Sequence, residues 1–255
     1  MSPRRPPRAW VGAPLPANPS ELLGPRGLTR ELLDEPEQSE PPLDEDAAFY
    51  WSMLSDERKG RIESVVGSRL QSVAVILDRL LDAHNTAAIL RTSEGLGLGN
   101  VHLVPHEELD HGEAHRRVTQ DAHKWLELTK HATGAEAAEA LRGLGFEVWA
   151  GHLDARAILY DELPADRPVA LLFGNEHQGP QARTLAACTG TFRIPMAGFT
   201  QSFNVSVAAG IALARHAQRR RAFLGAAGDL SPEGRSDLRD RFTLLAARLS
   251  RRLKR

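Results

Sequence analysis

"SVAVILDRLLDAHNTAAILRTSEGLGLGNVHLVP", residues 72–105, changes its hydrophobic period twice. Residues 72–78 form a short apolar run rich in β-branched side chains. Residues 84–97 carry apolar side chains at helical spacing, and residues 100–105 return to a strand pattern. The same alternation continues downstream. A helix is expected at 134–145, strands at 146–153, 169–174 and 190–196, and a long helix at 204–221. Runs of four to seven apolar residues between helices are buried on both faces, which predicts an α/β fold: a mostly parallel sheet with helices on both faces.

Upstream of this unit the composition shifts. Ten of the 16 prolines lie in the first 42 residues, and residues 31–46 carry eight Asp or Glu and no Lys or Arg. Residues 1–46 therefore read as a disordered tail. Helical patterning begins near "SDERKGRIESVVGSRL", with Ser55 as N-cap. The other end is basic: residues 215–255 hold 12 Arg or Lys against four Asp or Glu, a balance of +8. Leu238, Phe242, Leu245, Leu249 and Leu253 fall on one helical stripe, with Arg235, Arg239, Arg248, Arg252 and Arg255 on other faces. That helix is either a solvated basic helix packed on the body or a phosphate-contacting one. The expected divisions are 1–46 tail, 47–221 main domain with an N-terminal helix, and 222–255 basic helical extension.

Overall composition excludes several classes. The formal net charge is -1, so the whole chain is not a polycation, and a hydrophobic content of 42% supports a sizeable core. No run reaches the roughly 18 apolar residues of a membrane span. "MSPRRPPRAW" lacks the apolar stretch of a secretory signal, and the single cysteine, Cys188, excludes an intrachain disulfide framework. A cytoplasmic protein is expected, with Cys188 as a small buried hydrophobe. "GLGLGN" at 95–100 closes a helix and precedes a strand, so it is a helix stop and not a dinucleotide loop. His106, His111 and His115 have no zinc-site spacing, and no metal is expected.

Three stretches carry chemistry. In "HNTAAILRT" (84–92), Asn85 stands at a helix start, where it can cap backbone N–H groups. Arg91 lies in an otherwise apolar helix, where an unpaired guanidinium is costly; the alternative is a surface-reaching or salt-bridged arginine. In "LLFGNEHQGP" (171–180) a buried strand ends at Gly174 and Glu176 follows, beyond a strand's carboxyl end where α/β sheets bind ligands. Glu176 reads equally as a helix-capping acid. In "IPMAGFTQSFNVSVAAGIALAR" (194–215), Ser202 and Asn204 sit at the mouth of an alanine-rich helix that they could simply cap.

In this order the three stretches resemble the motifs of the SPOUT-class RNA ribose methyltransferases, the SpoU or TrmH family. "AHKWLELTKH" (122–131) and "LGFEVWAGHL" (144–153) resemble the segments between, so the likeness spans about 56–221. The basic C-terminal helix resembles the tRNA guanosine-2′-O-methyltransferase branch. The resemblance implies a deep C-terminal trefoil knot, a homodimer with a shared active site, and S-adenosylmethionine held by loops corresponding to 150–153, 174–179 and 194–204. It implies catalytic roles for Arg91, Asn85, Glu176, Ser202 and Asn204, and cofactor contacts at Gly151, Gly174, Ile194, Met196 and Phe203. The reaction implied is ribose 2′-hydroxyl methylation of RNA, with a tRNA guanosine as substrate; ribosomal RNA, or a non-catalytic RNA-binding dimer, are the alternatives. Two positions depart from the family pattern. Phe203 replaces a leucine, which reshapes an apolar pocket. Thr119, Gln120 and Asp121 replace small residues in an RNA-facing loop.

Overall fold

Strand β1, Val73–Asp78, has every residue buried, and so does β6, Val169–Gly174, which lies beside it. Such strands have no solvent face, and every pairing in their seven-stranded sheet is parallel. The computed structural model describes residues 46–106 and 122–252. The proposed tail up to residue 45, His111, His115, Thr119–Asp121, and Leu253 to Arg255 lie outside the described residues.

The remaining strands are β2 (Asn100–Val104), β3 (Glu127–Lys130), β4 (Glu147–Gly151), β5 (Ile158–Leu159) and β7 (Gly190–Arg193). Their order is β3-β2-β1-β6-β4-β7-β5. The chain builds outward from β1 on one side, then on the other, with β6 inserted between β1 and β4. Crevices at the carboxyl ends of strands, where the direction of winding changes, are the ligand sites of open α/β sheets.

The helices are α1 (Ala47–Met53), α2 (Asp56–Gly67), α3 (Ala83–Gly95), α4 (Gly134–Gly143), α5 (Ala182–Ala187), α6 (Val205–Leu224) and α7 (Pro232–Arg252). Alternate residues of the central strands face opposite layers. Val73, Val75 and Leu77 pack with Ile89 and Leu90 of α3 and with Ala209, Ala212, Leu213 and Ala217 of α6. Ala74 and Ile76 pack with Ala135, Ala138 and Leu141 of α4. Ala209, Ala212 and Ala217 of α6 thus lie in the core against α3 and the sheet, while Ala214 and Ala222 are exposed. Ser55 caps α2 by accepting from Arg58 N. The glycine-rich stop after α3 includes Gly97 at φ +76, where an added Cβ would lie 2.7 Å from Ser68 O.

The C-terminal helix departs from the expected stripe. α7 buries Leu238, Phe242 and Ala246 against Ile62 and Val66 of α2, while Leu245 is only half-buried. A four-residue step keeps the small Ala246 in line with Phe242, which Trp125 meets edge-on at 5.2 Å. Much of the basic charge is spent inside the molecule. Arg241 binds Glu127 and Leu126 O, Arg239 faces Glu63, and Arg215 binds Asp161. Arg219 donates to Leu163 O, Arg220 to Ser72 Oγ and Ala165 O, and Arg221 to Ser68 O and Leu96 O. Of the described cations here, Arg215, Arg235 and Arg248 are exposed, Arg215 within its surface pair with Asp161. Cys188 is partly buried among the α4 and α5 apolar groups, and burial pushes its thiol up to about 12. No described helix is long and apolar enough to cross a membrane.

Candidate functional site

Strands β6, β4 and β7 are neighbours, so the segments that leave their carboxyl ends emerge side by side. These segments begin at Gly174, Gly151 and Ile194. α3 starts next to them, after β1. The first turn of α3 is capped by Asp82, whose carboxylate accepts from His84 N at 2.8 Å. Asn85 is therefore not the cap, contrary to the reading from sequence. It lies inside the first turn with 8% of its surface exposed. Its amide faces the other two motifs.

A hydrogen-bonded run follows. Asn85 Nδ2 donates to Glu176 Oε1 at 2.8 Å, and Asn204 Nδ2 donates to Asn85 Oδ1 at 3.0 Å. Glu176 also accepts from Leu81 N at 2.8 Å and from Asp82 N at 3.3 Å. Asn204 is the N-cap of α6, its Oδ1 accepting from Ser206 N at 2.8 Å and from Ser206 Oγ at 2.6 Å. Both bland readings hold locally: Glu176 collects N–H groups just ahead of α3, and Asn204 caps α6. The same atoms also join all three motifs.

The polarity of the run is fixed. An ionised Glu176 can only accept, and Asn204 Oδ1 is held by donors, so Asn85 has one allowed amide orientation. Burial works to raise the Glu176 carboxyl. The donors Leu81 N, Asn85 and Asp82 N, with its own backbone amide, outweigh that and hold it below the ordinary value. At neutral pH Glu176 is an anionic anchor whose lone pairs are engaged.

The other proposed residues are placed differently. Arg91 is exposed on α3, where six residues put it about 9 Å along the axis from Asn85 and roughly 120° around it. It joins no part of the run, and the apolar burial expected around it is absent. Ser202 is exposed in the segment before α6. Ile194 packs against the α3–α6 core, Met196 is half-buried, and Phe203 is 39% exposed. At Gly174 an added Cβ would lie 2.5 Å from Pro180 N, and at Gly151 it would lie 3.4 Å from Phe192 Cζ. Gly174 is thus required by the packing of its own loop, whereas at Gly151 a side chain would make only ordinary contact with the neighbouring strand. Leu153, Phe199 and Val207 expose apolar surface around the same edge.

Sequence reading missed Asn175, 7% exposed between Gly174 and Glu176. Its Oδ1 accepts from His177 N and Gln178 N, and its Nδ2 donates to Arg79 O. An Asn ahead of a short turn closed by Gly179 is an Asx-turn signal that was available. Arg79, at φ +54, was also missed, and nothing in its local sequence marks it.

The profile of the SpoU rRNA methylase family matches residues 72–214. A tRNA (guanosine(18)-2′-O)-methyltransferase of Thermus thermophilus is 36% identical over 167 residues, covering 66% of this chain and 84% of the relative. Among solved structures, the A. aeolicus TrmH/SpoU tRNA modifying enzyme superposes with a TM-score of 0.67 at 28% identity, over 75% of this chain and 97% of that one. An AdoMet-bound rRNA methyltransferase from Sinorhizobium meliloti gives 0.54 at 26% identity, over 62% of this chain and 59% of that one.

Proposed function

Because the chain belongs to the SpoU rRNA methylase family, we propose that it methylates a ribose 2′-hydroxyl of RNA from S-adenosylmethionine, with a tRNA guanosine as target. The observation that carries this reading is the run Glu176–Asn85–Asn204, which joins the three motifs at the carboxyl edge of the sheet. The Thermus relative's named substrate supports the choice of tRNA guanosine. We place the reaction in the cytoplasm, with its substrate. The trefoil knot follows from the same family resemblance.

The residues present fit the methyl donor. Three adjacent loops meet at one edge, and Leu153, Phe199 and Phe203 leave apolar surface there for an adenine ring. Gly151, Gly174, Ile194, Met196 and Phe203 belong to the loops that would hold it. When bound, S-adenosylmethionine supplies a methyl group already activated by its sulfonium.

The protein then has to orient the ribose and handle one proton. Glu176, with every near donor engaged, holds Asn85 and the start of α3 in place. Asn85 and Asn204 fix the edge against which the ribose lies. Arg91 presents donors and no acceptor, so it anchors a phosphate or the hydroxyl oxygen and stabilises developing charge. Arg91 and Ser202 stand outside the run within one copy, and apolar side chains at Leu153, Phe199 and Val207 are exposed beside it. These facts support a homodimer in which two copies complete the site.

Transfer of tritiated methyl groups to a tRNA transcript tests the reading. Label should enter tRNA in preference to a ribosomal RNA fragment, and sedimentation should give a dimer. Label in neither RNA would refute the activity, and a monomer at full activity would refute the shared site.

A further inference from the structure

Asn175 holds two parts of the candidate site at once. Its Oδ1 accepts from His177 N at 2.9 Å and from Gln178 N at 3.0 Å, and its carbonyl accepts from Gly179 N at 2.8 Å. These bonds close the turn after β6. Its Nδ2 points the other way and donates to Arg79 O at 3.1 Å. Arg79 directly follows β1, its N–H donating to Val104 O at 2.9 Å. Among the described residues it is the non-glycine residue with a positive φ, +54. A side-chain-bearing residue is uncommon in that conformation unless its surroundings impose it. Here the chain must turn from β1 to deliver Leu81 N and Asp82 N, two and three residues later, to Glu176.

We propose that Asn175 is a positioning residue for methyl transfer: its oxygen shapes the loop after β6, and its amide N–H locks the left-handed turn at Arg79 that sets Asn85 against Glu176. The proposal rests on the methyl-transfer reading above. It separates two jobs by atom. The oxygen acts on the loop that would hold the methyl donor. The N–H acts on the start of α3, which faces the ribose.

Asn175→Asp keeps the oxygen and loses the donor, whereas Asn175→Ala loses both. In the full chain, Asn175→Asp should lower kcat about tenfold and leave the KM for S-adenosylmethionine within about twofold. Asn175→Ala should lower kcat similarly and also raise that KM, and the Kd by calorimetry, about fivefold. A purely structural role would move the melting temperature without this split. Arg79→Gly and Arg79→Ala both remove the pairing with Asp78 and differ in tolerance of positive φ. The Gly variant should retain about threefold more kcat than the Ala variant.

Wild-type kcat in Asn175→Asp, a KM for S-adenosylmethionine that moves equally in both Asn175 variants, or equal kcat in the two Arg79 variants would overturn the proposal. Hydrogen exchange gives a second measure. The His177 and Gln178 amides should stay protected in Asn175→Asp and exchange faster in Asn175→Ala, while the Leu81 amide exchanges faster in both. If the unchanged chain transfers no methyl group, the functional reading fails alone. The tie is then decided by exchange, and a protected Leu81 amide in Asn175→Asp sinks it.

Discussion

Glu176→Gln changes one atom of the candidate site and cannot be absorbed by rotating a neighbour. Oε2 takes Leu81 N, and Oε1 takes Asn85 Nδ2 and Asp82 N. A glutamine must turn its NH₂ toward one of these sets, so a donor meets a donor. Flipping Asn85 to accept would set its NH₂ against Asn204 Nδ2, and Asn204 cannot flip because Ser206 N and Ser206 Oγ hold its oxygen. The least damaging orientation sacrifices the Leu81 bond and the charge assistance of the others. Glu176 is half-buried, so water replaces part of the loss, and the lower range for charged hydrogen bonds applies: about 2 kcal/mol. If that energy positions the ribose, kcat/KM falls about 30-fold. The assay is steady-state transfer of tritiated methyl to a tRNA transcript, with a thermal melt to confirm folding. A folded Glu176→Gln protein within about twofold of wild type would refute the fixed-polarity argument.

Arg91→Ala should abolish transfer while S-adenosylmethionine binds nearly as before, since Arg91 lies outside the three loops; loss of binding by calorimetry would contradict this. Stability should fall on acidification. Burial, then the neighbouring charge of His131, lowers His102 to about 3, and burial, then Arg219 and Arg220, lowers His216 to about 4. Both stay neutral in the fold but bind a proton when unfolded below about 6.5, so stability is full above that pH and drains down to about 4 for His216 and about 3 for His102. Urea melts should show about 3 kcal/mol less stability at pH 5.5 than at pH 7.5 from these two groups, and His216→Leu should remove roughly half of the difference. Removing α7 would strip Phe242 from Ile62 and Val66 and so confound any binding test. Arg235→Gln with Arg248→Gln is the cleaner change: if both meet phosphates, the log–log salt slope of tRNA binding flattens by about 1.8. An unchanged slope would show that RNA docks elsewhere.

The strands were legible because their burial is written in composition: "VAVILD" and "VALLFG" have no polar face, and such runs between helices leave only a parallel sheet. The three motifs were legible as segments, but not their joints. Asn85 read as a cap because Asn is a good one, yet Asp82 stands three residues earlier and takes that role. Its true partners, Glu176 and Asn204, are distant in sequence, and no local pattern encodes which way an amide turns. From sequence the C-terminal stripe runs from Leu238 and Phe242 on through Leu245, Leu249 and Leu253. Tertiary packing selected Ala246, because a small residue lets α7 approach α2. Net regional charge was equally misleading, since Arg219, Arg220 and Arg221 are occupied by backbone and side-chain oxygens of the core.

The most direct measurement is mass-spectrometric mapping of tRNA incubated with the purified chain and S-adenosylmethionine. One 2′-O-methylguanosine is expected, absent when that nucleotide carries a 2′-deoxyribose. A methyl group on a base, or transfer that persists to the 2′-deoxy substrate, would contradict ribose methylation.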